Sequence, residues 1–210
     1  ALLKEPELAQ LLVKKVSKAI SIPVTVKIRL GWCENTCDPV SFALGLQEAG
    51  AQLITVHGRT RRQGFSGTAN WEAISKIKKV LDIPVIANGD IKNSRDALKC
   101  LEITNADGVM VGRASMGAPW LVGQIDDEIN NQTTFRTPDA KMKVSLALEH
   151  LKLLISKKGS HGLLIARKHM NWTCRGFQGS SALRHKLVRA STPNDAIKLL
   201  EEELIKLRQE

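Results

Sequence analysis

An α/β fold, with a parallel sheet covered by helices and an all-helical domain after it, is predicted by three features of the 210-residue sequence. Short apolar runs recur at steps of roughly 25 to 30 residues, the size of one βα unit. Each run ends in polar or basic residues near a glycine, and helical periodicity fills the segments between runs. Beyond about residue 130 the strand-like runs stop and only helical patterns continue.

The runs are Pro23-Val-Thr-Val-Lys-Ile-Arg-Leu-Gly31, Leu53-Ile-Thr-Val-His-Gly-Arg59, Pro84-Val-Ile-Ala-Asn-Gly-Asp90 and Gly108-Val-Met-Val-Gly-Arg113. They read as buried, parallel strands. Helices are predicted over residues 7–20, 40–49, 71–81 and 94–101, the last with Ser94 as its N-cap. The alternation α-β-α-β-α-β-α-β fits either a doubly wound sheet or a (β/α)8 barrel, and both gather their chemistry at the C-terminal ends of the strands. Repeat length and a final phosphate-type turn favour the barrel. The polar stretch Asn130-Asn-Gln-Thr-Thr-Phe-Arg-Thr-Pro138 then reads as a linker between domains 1–130 and 138–210. Helices over 141–157, 163–174, 181–189 and 194–209, the last started by Thr192 and Pro193, form a small bundle.

Composition narrows the class. Apolar residues make up 43% and charged residues 25%, as in an ordinary globular protein. No apolar run approaches the roughly 18 residues needed to span a bilayer. Cys33, Cys37, Cys100 and Cys174 are too scattered for a disulfide framework, which predicts a reducing, cytoplasmic setting. The net charge, 31 − 21 = +10, draws polyanions, although a lysine-rich surface alone would give the same total. Neither GxGxxG after a strand nor a Walker loop is present, so a dinucleotide-binding Rossmann site and a P-loop are not indicated. Cys33-x3-Cys37 has no second pair, and no metal is predicted.

Three groups of residues carry candidate chemistry. Asn88-Gly89-Asp90 and Gly112-Arg113 close successive strands, where backbone N–H groups and an arginine fork suit the phosphate of a mononucleotide cofactor. Lys27 and His57 end the two earlier strands and are expected at the same mouth, where a cation stabilises the negative charge of a reduced flavin. Basic clusters follow: Arg59-Thr-Arg61-Arg62, Arg167-Lys168-His169, and Arg184-His185-Lys186 with Arg189, with Trp172 and Phe177 near the second. Arginine and lysine neutralise phosphates while aromatics stack on bases, the usual way RNA is held, and core packing is the plainer reading of Trp172.

Val26-Lys-Ile-Arg-Leu-Gly-Trp32, Val56-His-Gly-Arg-Thr60, Ile86-Ala-Asn-Gly-Asp-Ile91, Val111-Gly-Arg113 with Gly117-x-Pro-Trp120, and Ala166-Arg-Lys-His169 together resemble the ordered motifs of bacterial tRNA-dihydrouridine synthases, nearest the B type. The resemblance implies the C-terminal half of a TIM barrel, FMN as cofactor, NADPH as reductant and tRNA as substrate, and a monomer is expected. It implies that Lys27 contacts the flavin ring, that Asn88, Gly89, Asp90, Gly112 and Arg113 hold its phosphate end, and that His57 lines the pocket. Arg59, Arg61, Arg62, Arg167, Lys168 and His169 are implied as tRNA contacts. In such enzymes hydride passes to C6 of a flipped-out uracil while a cysteine protonates C5. The family's Asn-x-Gly-Cys-Pro loop is not among these residues. The proton donor is therefore expected upstream of Ala1, and the sequence reads as an N-terminally truncated record whose 210 residues alone are nearly inactive. A noncatalytic tRNA-binding remnant, or another FMN barrel acting on a small pyrimidine, are the alternatives.

Overall fold

The computed structural model describes residues 2–33, 38–131 and 137–208. The chain forms two compact units, Ala1–Gly112 and Arg113–Glu210. The division falls upstream of the polar linker read from the sequence, because the short helical turns after Gly112 associate with the second unit.

In the first unit the strands β1 (Thr25–Arg29), β2 (Leu53–His57), β3 (Val85–Asn88) and β4 (Gly108–Met110) pair in parallel, in the order β1-β2-β3-β4. Each strand is preceded or followed by a helix: α1 (Pro6–Ala19), α2 (Pro39–Glu48), α3 (Trp71–Lys78) and α4 (Ser94–Thr104). Successive side chains on a strand point to opposite faces. One face carries Ile28, Ile54, Val56, Val85 and Ala87, all buried, with Leu46, Ile74, Ile77, Ala97 and Cys100 of α2 to α4 completing the core. β1 alternates between exposed and buried positions instead of being buried throughout as its sequence suggests, and its described ladder runs only along β2.

Local chemistry fixes the helix starts. Asp38 caps α2 by accepting from the amides of Val40 and Ser41, with Pro39 preset at the first helical position. Asn70 caps α3. Asn93, not Ser94, caps α4, its side chain accepting from the Asp96 amide, so the expected cap lies one residue too late.

The second unit is helical. After the short α5 (Leu121–Asp126) come α6 (Ala140–Lys158), α7 (His161–Thr173), α8 (Ser180–Arg189) and α9 (Pro193–Lys206). Val144, Leu151, Leu163, Met170, Leu187 and Leu200 are buried among them as one core. Thr192 and Asp195 form a capping box at the start of α9, as its Thr-Pro opening predicts. Of the polar linker, residues 132–136 lie outside the described residues, as does Cys37.

Candidate functional site

The register brings the predicted residues together. Arg29 pairs with His57, which pairs with Asn88, and Lys27 pairs with Thr55 one step earlier. Lys27, Arg29, Thr55, His57 and Asn88 therefore share the face opposite the apolar core, at the C-terminal ends of the strands. Lys27 Nζ reaches across β2 and donates to Asn88 Oδ1 at 2.8 Å. The Asn88 amide nitrogen in turn donates to the Met110 carbonyl at 2.7 Å, so both ends of this side chain are fixed.

The face is rich in cations and poor in acids. Burial, then Arg29, Lys27 and Arg59, pull the His57 imidazole down to about 4, against a smaller opposing effect of Asp90. It is neutral near pH 7. Burial and the neighbouring Arg29 lower the Lys27 ammonium, and burial together with Arg61 and Arg59 lowers Arg29. Such mutual repulsion, with one nearby carboxylate among the described residues, suits an anionic ligand.

That carboxylate is occupied. Arg59, only 2% exposed, sets its Nη2 2.8 and 2.9 Å from the two oxygens of Asp90. It also donates from Nε to the Ser66 carbonyl at 3.0 Å and from Nη2 to that of Gly67. Asp90 Oδ2 further accepts from the Ala69 amide at 2.7 Å. Arg59 is thereby buried in the fold, and Asp90 is engaged by its guanidinium and by the Ala69 amide. Arg61 and Arg62 are exposed. At Gly89 an added Cβ would stand 2.7 Å from Ala69 Cβ and 3.1 Å from the His57 ring, so this glycine permits packing between turns. Around Gly112 an added Cβ would meet nothing within 4 Å.

The sequence matches the family described as "Dihydrouridine synthase (Dus)" over residues 1–209. The chain belongs to this family. A probable tRNA-dihydrouridine synthase 1 of Synechocystis sp. is 46% identical over 202 residues, 96% of this chain and 57% of that protein. A probable tRNA-dihydrouridine synthase of Rickettsia bellii is 43% identical over 185 residues, 88% of this chain and 57% of its own length. The tRNA-dihydrouridine synthase B of Pasteurella multocida is 36% identical, and the match covers 96% of this chain and 61% of that protein. The chain thus spans between half and two thirds of the length of these relatives. As a dihydrouridine synthase family member it has the expected α/β fold, part of a (β/α)8 barrel followed by a helical part.

In the second unit of this Dus family member, Arg167, Lys168 and His169 occupy successive positions on α7. Neighbours on a helix diverge by about 100°, so the three leave α7 in different directions. Arg167 is half-buried and donates from Nη2 to the Ala190 carbonyl at 3.0 Å, with its Nε enclosed. His169 lies between the rings of His150 and Trp172, at centroid distances of 4.9 and 5.4 Å. Lys168 alone of the three is exposed. Arg113 is exposed in a short turn, Arg113–Ser115, that opens this unit.

Two site residues escaped the sequence reading. Arg29 stands two positions after Lys27, and strand alternation alone places it on the same face. Trp71 Nε1 donates to the Gly89 carbonyl at 3.1 Å, a contact for which the sequence holds no signal. Cys100 and Cys174 are fully buried, with burial pushing their thiols up to about 11 and about 12, which makes both inert near pH 7. Among the described residues no cluster of His, Cys, Asp and Glu could hold a metal, and no helix is long and apolar enough to cross a membrane.

Proposed function

We propose that this chain is the flavin-binding and tRNA-binding portion of a tRNA-dihydrouridine synthase, with FMN as cofactor, NADPH as reductant and tRNA uridine as substrate. Family membership and the relatives' names support the reaction. The observation that carries the assignment of the site is the convergence of Lys27, His57 and Asn88 on one cation-rich face at the strand ends. That donor set fits an anionic flavin, which when bound supplies hydride for the pyrimidine double bond.

The residues then divide the work. Lys27, steered by Asn88, offers a hydrogen-bond donor and positive charge to the flavin ring. His57, neutral near pH 7, lines the pocket as a hydrogen-bonding group and holds no spare proton for C5 of the uracil. Gly112, with open space at its Cβ position, and Arg113, next in the chain, are assigned to the FMN phosphate. Asn88 and Gly89 are assigned with them to the phosphate end of the flavin. The exposed Arg61, Arg62 and Lys168 are the tRNA-facing cations.

A chimera tests the reading: these 210 residues replace the matching segment of the Synechocystis relative. The purified chimera is expected to retain FMN and to convert tRNA uridine to dihydrouridine with NADPH, followed by mass spectrometry. Lys27→Met should keep the fold and lose flavin reduction by NADPH. A chimera that folds, yet takes up no added FMN, overturns the assignment.

A further inference from the structure

The loop that follows β2 has an unusual floor. Arg29 Nη1 donates to the carbonyls of Thr60 and Gly64 at 2.9 and 3.0 Å. Arg59 takes those of Ser66 and Gly67 while paired with Asp90. Alongside, the amides of Arg61 and Arg62 donate to the carbonyls of Gly31 and Trp32 at 2.8 and 2.9 Å, and Leu30 donates to the Arg59 carbonyl at 3.2 Å. Within the loop the Thr60 amide is held by Gln63 Oε1 at 2.7 Å. Its shape is therefore set by guanidinium groups and backbone pairing, with no need for an apolar side chain beneath it.

Yet the loop carries a phenylalanine on its outer side. Phe65 is 61% exposed, and Arg29 Cζ lies 5.9 Å from its ring centroid. Arg61 and Arg62 are exposed on the same loop, and residues 59–70 contain neither Asp nor Glu. An exposed ring beside two outward cations, on a preorganised acid-free loop, has the composition that holds single-stranded nucleic acid. The ring stacks on any base while the cations track the phosphates. An anionic lipid surface or an acidic protein could engage the same groups, but the loop leaves the strand whose end carries His57, in the site assigned above to a tRNA uridine, and RNA is therefore the occupant.

We propose that the loop over residues 60–67 is a nucleotide-stacking platform, with Phe65 under an unpaired RNA base and Arg61 and Arg62 on the adjoining phosphates. The loop leaves β2 directly after His57, so the nucleotide it holds flanks the one delivered to the strand-end site. The platform rests on the tRNA reading above, since it names where on this unit the RNA is gripped. Arg59 and Arg29 are its positioning residues and touch no RNA themselves.

Fluorescence anisotropy on the 210-residue chain tests it with three probes: a tRNA transcript, an unpaired oligouridine, and a duplex RNA of equal length. Phe65→Leu is expected to weaken tRNA and oligouridine about 10-fold, with duplex binding and salt slope unchanged. Phe65→Tyr should bind as the unaltered chain does. Phe65→Trp should add an indole fluorescence that oligouridine quenches, which keeps the proposal falsifiable even where the leucine variant loses stability. The pair Arg61→Gln and Arg62→Gln should reduce the log–log salt slope for oligouridine by about 1.4. If Phe65→Leu weakens all three probes equally, or none, or if the new indole is not quenched, the platform is wrong while the tRNA reading stands. If the unaltered chain binds no tRNA, both fall together.

Discussion

Two basic clusters look alike in sequence and differ in the folded protein. Arg59-Thr-Arg61-Arg62 and Arg167-Lys168-His169 each begin with an arginine that turns inward and continue with at least one residue that turns out. The inward arginines are held differently. Arg59 meets two carbonyls and a carboxylate, whereas Arg167 meets one carbonyl. Each retains one enclosed nitrogen with no hydrogen-bond partner in the structure, Nη1 in Arg59 and Nε in Arg167. A guanidinium offers five donors in a fixed fork, so it suits places where carbonyls converge. A run of basic residues thus overstates the charge offered to a polyanion, because its first member is spent on the protein's own backbone.

The comparison is open to breakage by substitution. Arg59→Met should cost the most, about 3 kcal/mol or more in urea unfolding, because it leaves the Asp90 carboxylate without its cation and two loop carbonyls without donors. A loss below about 1 kcal/mol would mean that the loop and Asp90 relax into water and that Arg59 is no brace.

His57 comes next, and its effect appears as pH dependence. Its folded value of about 4 lies below its ordinary 6.5, so between these limits the unfolded chain binds a proton that the folded chain does not. Stability is therefore full above 6.5 and falls as pH drops toward 4, on the order of 1.4 kcal/mol for each unit of displacement. His57→Gln should flatten that part of the curve. An unchanged slope would show that His57 is not the group responsible.

Smaller again, Arg167→Met should cost about 1 to 2 kcal/mol, since it gives up one charge-assisted hydrogen bond to a carbonyl but also removes an enclosed donor that had no partner. A cost matching that of Arg59→Met would erase the distinction between the clusters. The outward residues mark the lower limit: Arg61→Gln and Lys168→Gln should each leave stability within about 0.5 kcal/mol. Each should also reduce the salt slope of tRNA binding by roughly 0.7 to 0.9, which filter binding across a salt series would register.

Much of this was legible in the sequence, for identifiable reasons. The strands announced themselves because a parallel strand buried on its helix-covered face must be apolar there, as Ile54, Val56, Val85 and Ala87 are. His57 and Asn88 stand at strand ends as read from the sequence, whereas Lys27 stands mid-strand, two residues before Arg29, and meets Asn88 through its long side chain. What the sequence withheld was direction. Nothing in Arg59-Thr-Arg61-Arg62 says that the first side chain folds back 31 positions along the chain to Asp90, because that pairing depends on β2 and β3 being neighbours. The cap of α4 was missed for a smaller reason: Asn93 and Ser94 are both good capping residues, and only the extended backbone at Asn93 separates them.

Asp90 also has a left-handed backbone, with φ at 57°. Few side chains tolerate that conformation, and glycine and asparagine are the ready substitutes. Glycine would relax the backbone and strand the Arg59 guanidinium, whereas asparagine would keep the turn and surrender the charge. At position 59, lysine offers a point charge and cannot serve Ser66, Gly67 and Asp90 with one planar fork. Inheritance at these two sites is therefore interlocked. A change at either site alone leaves the other without its partner, so the two positions, 31 apart, are expected to change together.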